Sequence, residues 1–145
     1  MQTNKVSMLL MTILVLVLNS CSTQPEAIRF GKDNCDFCKM TISDNRFGAE
    51  IVTNKSKIYK FDDGHCIVEF LRSGKIEKKD IHGIYFIDFT SPHDLTEVGK
   101  AVFLQSHALK SPMNGNIAAF SNEDSLNSNL SKFYGNKISW EDMQK

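Results

Sequence analysis

Residues 57–73, KIYKFDDGHCIVEFLRS, contain a strand, a turn and a helix in direct succession. The alternating side chains of 57–61 indicate a β-strand. Asp62-Asp63 ends this strand and can cap the helix that follows. Over 65–73 the apolar residues recur at helical spacing, which makes one face of the helix apolar, and Gly74 suits the helix end.

The same order of elements appears in both halves of the chain. A strand over 47–52 and the polar link 53–56 make a hairpin with the strand at 57–61, and a further strand follows the helix at 84–89. The second half is predicted to contain strands at 100–105, 116–120 and 137–140, with a helix at 124–134. We therefore expect an α+β fold of mainly antiparallel strands. Its two small ββαβ units, over about 41–90 and 98–145, would share one sheet or pack as two lobes.

The first twenty residues have the pattern of an export signal. Lys5 is followed by thirteen uncharged residues, 6–18, a run shorter than the roughly 20 apolar residues that span a bilayer but typical of a signal-peptide core. Leu18-Asn19-Ser20-Cys21 then resembles a bacterial lipobox, in which the Cys is lipidated. The alternative is an ordinary signal peptide followed by a chance Cys.

The lipobox leads to a prediction about where the protein resides. We expect a signal peptide over 1–20, a lipid anchor at Cys21, a polar tether over 21–34 and the folded domain over 35–145. The chain would then be held in the cell envelope. Because Ser22 and not Asp follows the Cys, the outer membrane facing the periplasm is favoured over the inner membrane.

The charge pattern excludes some partners. Lys and Arg number 17, as do Asp and Glu, so the 145-residue chain has no net charge. No basic stripe is present, and we expect no nucleic-acid partner. No segment after Cys21 has the apolar length to cross a membrane, so attachment would depend on lipid.

Three cysteines remain once Cys21 is set aside: Cys35, Cys38 and Cys66. A purely structural disulfide set would leave one thiol free, so the odd count favours chemistry at sulfur. Cys66 lies on the apolar face of the predicted helix, where a buried Cys commonly acts as a small hydrophobic residue. We expect Cys66 to belong to the core.

The pair Cys35-x-x-Cys38 allows four interpretations. A thioredoxin-like redox pair needs a strand before it and a helix after it, whereas the preceding GKDN is polar and loop-like. A structural zinc site needs four ligands, and the neighbours His65 and Cys66 point in different directions on a helix. A disulfide would be favoured by an oxidising compartment. The fourth interpretation is a soft-metal site that includes Met40.

A soft-metal site is supported by the methionines. Cys38 and Met40 are two residues apart and face the same way in an extended segment. Thiolate and thioether ligands together select Cu(I). Met113 lies in a polar, turn-rich loop where it has little core to fill.

Two other residues are candidates for supporting a metal. Asp63, with Asp62 before it, is either a helix cap or a carboxylate beside the metal. His107 lies on the loop that approaches Met113 and is a candidate ligand or gate.

Together these motifs resemble one family, the nitrous oxide reductase accessory lipoproteins or NosL family. The resemblance covers roughly residues 33–121 and departs from the family pattern at Lys39 and Asn114, where Gly is common. The matching residues are Cys35-Asp36-Phe37-Cys38-Lys39-Met40-Thr41-Ile42, Phe61-Asp62-Asp63-Gly64, Ala101-Val102-Phe103, Ser106-His107, Ser111-Pro112-Met113 and Ala118-Ala119-Phe120.

The resemblance implies a Cu(I)-binding lipoprotein that delivers copper to a periplasmic apo-enzyme, expected to be nitrous oxide reductase, without catalytic turnover. It implies two ββαβ units related to a domain of organomercurial lyase. The implied copper ligands are Cys38, Met40 and Met113, with Cys35 as a further ligand. The alternatives are a thiol–disulfide oxidoreductase that uses the Cys pair and a structural lipoprotein with a disulfide.

Overall fold

The structure is a computed structural model that describes residues 23–145. The predicted signal peptide over 1–20 and the predicted lipidation site Cys21 lie outside the described residues. Within 23–145, none of the helices has both the length and the apolar character that a bilayer crossing requires.

The first half of the domain forms a four-stranded antiparallel sheet with one helix. The strand order is β2-β1-β3-β4, and β1 pairs with β2 as the predicted hairpin. A short 3₁₀ turn at Lys78–Asp80 precedes β3. The elements are β1 (Ala49–Thr53), β2 (Ile58–Phe61), α1 (Gly64–Arg72), β3 (Ile81–Ile87) and β4 (Leu95–Glu97).

The second half repeats this arrangement with a three-stranded sheet of order β6-β5-β7. In both sheets the first strand lies between the second strand and the strand that follows the helix. The α+β prediction is therefore confirmed. The elements are β5 (Val102–Gln105), β6 (Ile117–Phe120), α2 (Glu123–Phe133), β7 (Asn136–Ile138) and α3 (Trp140–Met143).

Two short elements differ from the sequence expectation. β4 was not predicted, because its three residues carry no clear pattern. Trp140, which we expected to end a strand, instead begins α3. The reason is a capping box, in which the Ser139 hydroxyl accepts from the backbone of Asp142 and the Asp142 carboxylate accepts from the backbone of Ser139.

The two units meet through backbone pairing and aromatic packing. The N–H of Phe89 donates to the carbonyl of Ala119 over 2.8 Å, and the N–H of Ser121 donates to the Asp88 carboxylate over 2.8 Å. The rings of Phe86 and Phe103 lie 5.0 Å apart, edge to face, across the junction. The two units therefore keep separate sheets and pack against each other across this junction.

The later part of the expected tether packs against the domain. Ile28 is buried and fills space that a side chain at Gly48 would occupy, since a Cβ there would lie 2.7 Å from the Ile28 Cδ1. The buried Lys60 ammonium lies 2.7 Å from Asp33 and 2.8 Å from Glu26. A buried ammonium requires such partners, so the segment around 26–33 is part of the fold.

Candidate metal centre

Three thiols meet beside the first turn of α1. The Sγ atoms of Cys35, Cys38 and Cys66 all lie within 4.8 Å of one another. Cys35 and Cys66 are buried, Cys38 is half-buried, and all three are free thiols. Converging thiols are soft ligands of the kind that hold Cu(I) or Zn(II). They are the group among residues 23–145 in which three or more Cys, His or carboxylate side chains could share one ion.

A tight turn brings Cys35 and Cys38 to the same side. The N–H of Cys35 donates to the carbonyl of Met40 over 2.8 Å, and the N–H of Lys39 donates to the carbonyl of Cys35 over 3.0 Å. Lys39 has a φ of +67°, in the left-handed region that favours Gly. Lys39 therefore occupies a backbone conformation in which Gly would be less strained.

The third thiol comes from α1, and β2 connects it to the Cys turn. Asp36 pairs with the edge of β2, because its N–H donates to the Lys60 carbonyl and its carboxylate accepts from the Lys60 N–H, both over 2.8 Å. β2 then leads directly into the first turn of α1, where Cys66 points inward. The expectation that Cys66 is buried is confirmed, but the sequence analysis did not place it in the metal centre.

Hydrogen bonds stabilise a negative charge on Cys35. The thiol of Cys66 donates to the Cys35 sulfur, and so do the backbone N–H groups of Cys38, Asp62 and Phe37; against the opposing effect of burial, they lower the pKa of Cys35 to about 5. The same contact raises the pKa of Cys66, and burial raises that of Cys38. Cys35 is therefore the thiol of the cluster that loses its proton most readily, and the thiolate is the form that binds metals.

A buried carboxyl group, that of Asp62, lies beside the thiols. Asp62 is buried, and burial followed by the neighbouring charge of Cys35 raises its pKa to about 6. Its Oδ1 atom has no hydrogen-bond partner among the described residues. A carboxyl group in this position contributes negative potential that would attract a cation to the cluster.

Asp63 connects the start of α1 to the loop that carries Met113. Its Oδ1 accepts from the N–H groups of His65 and Cys66 and so caps the helix. Its Oδ2 accepts from the Ser111 hydroxyl over 2.7 Å, the Met113 N–H over 3.0 Å and the Gly115 N–H over 3.3 Å. The capping interpretation is thus what the structure shows, and through it Asp63 positions Met113 close to the turn that bears Cys66.

The two predicted methionines lie at different depths. Met113 is half-buried and packs against the apolar cluster that contains Cys35 and Cys66. Met40 is 54% exposed, and its backbone N–H donates to the Cys38 sulfur. Met40 is therefore open to solvent, whereas Cys35 and Cys66 are not.

His107 is exposed on the turn that follows β5 and is not among the three residues that converge. Its neighbour Ser106 is the engaged member of the pair, since the Ser106 hydroxyl donates to the carbonyl of Phe133 and accepts from the N–H of Ala108. In the structure this part of the motif supports the end of α2.

Comparison with known proteins agrees with the fold. The family model for NosL matches residues 28–145. The chain is also similar to the crystal structure of the copper chaperone NosL from Shewanella denitrificans, with a TM-score of 0.68 and 19% identity over 83% of this chain and 95% of that one. No curated protein matches the sequence significantly. Because the family match covers both ββαβ units and all three converging cysteines, the chain belongs to the NosL family.

Proposed function

We propose that the protein is a copper chaperone that carries one Cu(I) ion on sulfur ligands. The observation that carries the proposal is the convergence of three free thiols within 4.8 Å. Met40 belongs to the same Cys turn, and Met113 packs against the apolar cluster that contains Cys35 and Cys66. The proposed ligands are Cys35, Cys38, Met40 and Met113. A donor set of sulfur alone suits Cu(I) and disfavours hard cations that prefer oxygen.

Release to a partner would proceed by ligand exchange. Met40 is exposed and neutral, so a sulfur or imidazole ligand of an acceptor protein could displace it without separating charge. Cys38 is half-buried and would be displaced next. The proposed acceptor is a periplasmic copper enzyme in its apo form, expected to be nitrous oxide reductase, and the similar Shewanella protein is itself described as a copper chaperone.

The location proposed for this transfer is the cell envelope. A lipid on Cys21 would hold the domain at the membrane, with the outer membrane favoured. Because the residues around Ile28 already pack on the domain, only a short segment would separate the lipid from the folded body. The copper site would then stay near the membrane surface.

A Cu(I) titration of the full chain in detergent, against a competing chelator, tests the proposal. We expect wild type to bind one Cu(I) and the triple variant Cys38→Ala, Met40→Ala, Met113→Ala to lose that affinity. Met143→Ala is the matched control, because it removes a thioether that lies beside Gly64 and is not a proposed ligand. Equal affinity of wild type and the triple variant would rule out these ligands, and circular dichroism would verify that both are folded.

Thiol–disulfide exchange is a second candidate, because the pKa of Cys35 is lowered as in redox-active cysteines. It is disfavoured because Cys35 is only 1% exposed, and an attacking thiolate needs access to its substrate. Catalytic reduction of a model disulfide, retained in Met113→Ala, would favour this function over copper binding.

A further inference from the structure

The sulfur atoms of the site are arranged by depth. Cys66 and Cys35 are 0% and 1% exposed, while Met40 is 54% exposed. Cys38 and Met113 lie between these extremes. The exposed Met40 is linked to Cys38, because its backbone N–H donates to the Cys38 sulfur. Cys38 in turn lies within 4.8 Å of both buried thiols.

We propose that the site holds Cu(I) at two overlapping positions that share Cys38. The inner position consists of Cys35, Cys38 and Cys66, and the outer position consists of Cys38, Met40 and Met113. The inner position is occupied at rest, and the outer one is used for loading and transfer. This inference rests on the proposed function, and it adds Cys66 as a ligand.

The inner position is expected to bind more tightly, because its three sulfur atoms already lie within 4.8 Å of one another and two of them are shielded from water. Nearby groups would stabilise the negative charge of thiolates bound to the ion. Backbone N–H groups of Phe37, Cys38 and Asp62 point at the Cys35 sulfur, and Cys66 lies in the first turn of α1, where the helix dipole favours negative charge. The Asp63 carboxylate beside it is already engaged by five donors.

The move between positions is a ligand exchange without a change of oxidation state. Cu(I) stays bonded to Cys38 while bonds to the sulfurs of Cys35 and Cys66 form and those to the two thioethers break. Protons carried by the thiols pass to bulk water, and Met40 and Met113 leave as neutral groups. Reversal of these steps returns the ion to the exposed side, where an acceptor can take it.

Selenomethionine labelling distinguishes the two positions, because among the proposed ligands only Met40 and Met113, which belong to the outer position, would carry selenium. We would load the full chain in detergent with less than one equivalent of Cu(I) and record X-ray absorption at the copper edge. Wild type is expected to show sulfur neighbours and no selenium. In Cys66→Ser the copper is expected to gain selenium neighbours, with affinity lowered at least about tenfold. Met143→Leu is expected to match wild type.

Selenium bound to copper in wild type would overturn this inference and leave the copper-carrier proposal intact. The inference would also be overturned if wild type and Cys66→Ser both showed only sulfur neighbours and bound copper with equal affinity, because Cys66 would then not be a ligand. A chain that binds no copper would contradict the proposed function itself. The wild-type spectrum decides between the positions even if the buried Cys66 substitution impairs folding.

Discussion

At the residue scale, the hydrogen bonds of the N-caps of α1 and α2 show why the first is Asp and the second can be Asn. Asn122 caps α2 with a single bond from the N–H of Ser125. Asp63 caps α1 and also accepts three donors from the loop that carries Met113. Both of its oxygens must be acceptors, and a carboxylate meets that requirement whereas an amide does not.

Asp63→Asn is therefore expected to destabilise the protein. One acceptor would become an NH₂ group that faces the Met113 and Gly115 N–H donors, which leaves buried donors unpaired. We expect the free energy of unfolding to fall by about 3 kcal/mol, measured by denaturant titration. The matched control is Asn122→Asp, which keeps its single bond and is expected to have little effect. Equal changes in the two variants would show that Asp63 acts only as a helix cap.

At the element scale, a buried charge cluster holds the N-terminal segment against the hairpin of β1 and β2. Glu50 and Lys60 are cross-strand partners, and Lys60 also pairs with Asp33 and Glu26. The Oε1 atom of Glu50 is buried and has no hydrogen-bond partner among the described residues. Burial, opposed in part by Lys60, raises the pKa of Glu50 to about 7.

This cluster predicts a pH dependence of stability. Between the ordinary Glu value of 4.5 and about 7, the folded chain binds more protons at Glu50 than the unfolded chain does, so stability falls as pH rises. Glu50→Gln is expected to remove this decline and to raise the free energy of unfolding at pH 7.5 by about 2 kcal/mol. Glu123→Gln, at an exposed ion pair, is the control.

Asp33 gives stability the opposite dependence on pH, and it does so at lower pH. Although burial opposes the change, hydrogen bonds from Lys60 and Arg29 hold the pKa of Asp33 below its ordinary 3.8. The stability that the Asp33 carboxylate contributes is present above that pKa value and is lost as the pH falls. In denaturant unfolding, Glu50→Gln should therefore still lose stability as the pH falls through the acid range. If its free energy of unfolding declined towards neutral pH as much as that of wild type, the role assigned to Glu50 would be contradicted.

Most of the elements could be predicted because their patterns are local. Apolar spacing placed α1 and α2 to within one residue of their observed bounds. The packing of residues 26–33 could not be predicted, because it depends on a buried ammonium from a distant strand. Cys66 was missed as a site residue for a similar reason: only the pairing of Asp36 with β2 brings the Cys turn to α1.

At the scale of the whole molecule, the site combines both ββαβ units. All three thiols belong to the N-terminal half, whereas Met113 lies between β5 and β6 in the second unit. Asp63 joins the two by hydrogen bonds, and an isolated β-bridge between Asp88 and Ala119 links them at a second point. Neither unit alone contains the full set of sulfur ligands that we propose.

The central claim, that one Cu(I) binds where these sulfurs converge, is tested most directly by anomalous X-ray scattering at the copper edge. Crystals of the full chain would be grown without oxygen after loading with Cu(I). The account predicts a single copper peak bonded to the sulfur of Cys38 and to at least one further sulfur among those of Cys35, Cys66, Met40 and Met113. A copper peak at another place, such as His107, with the thiol cluster empty, would contradict it.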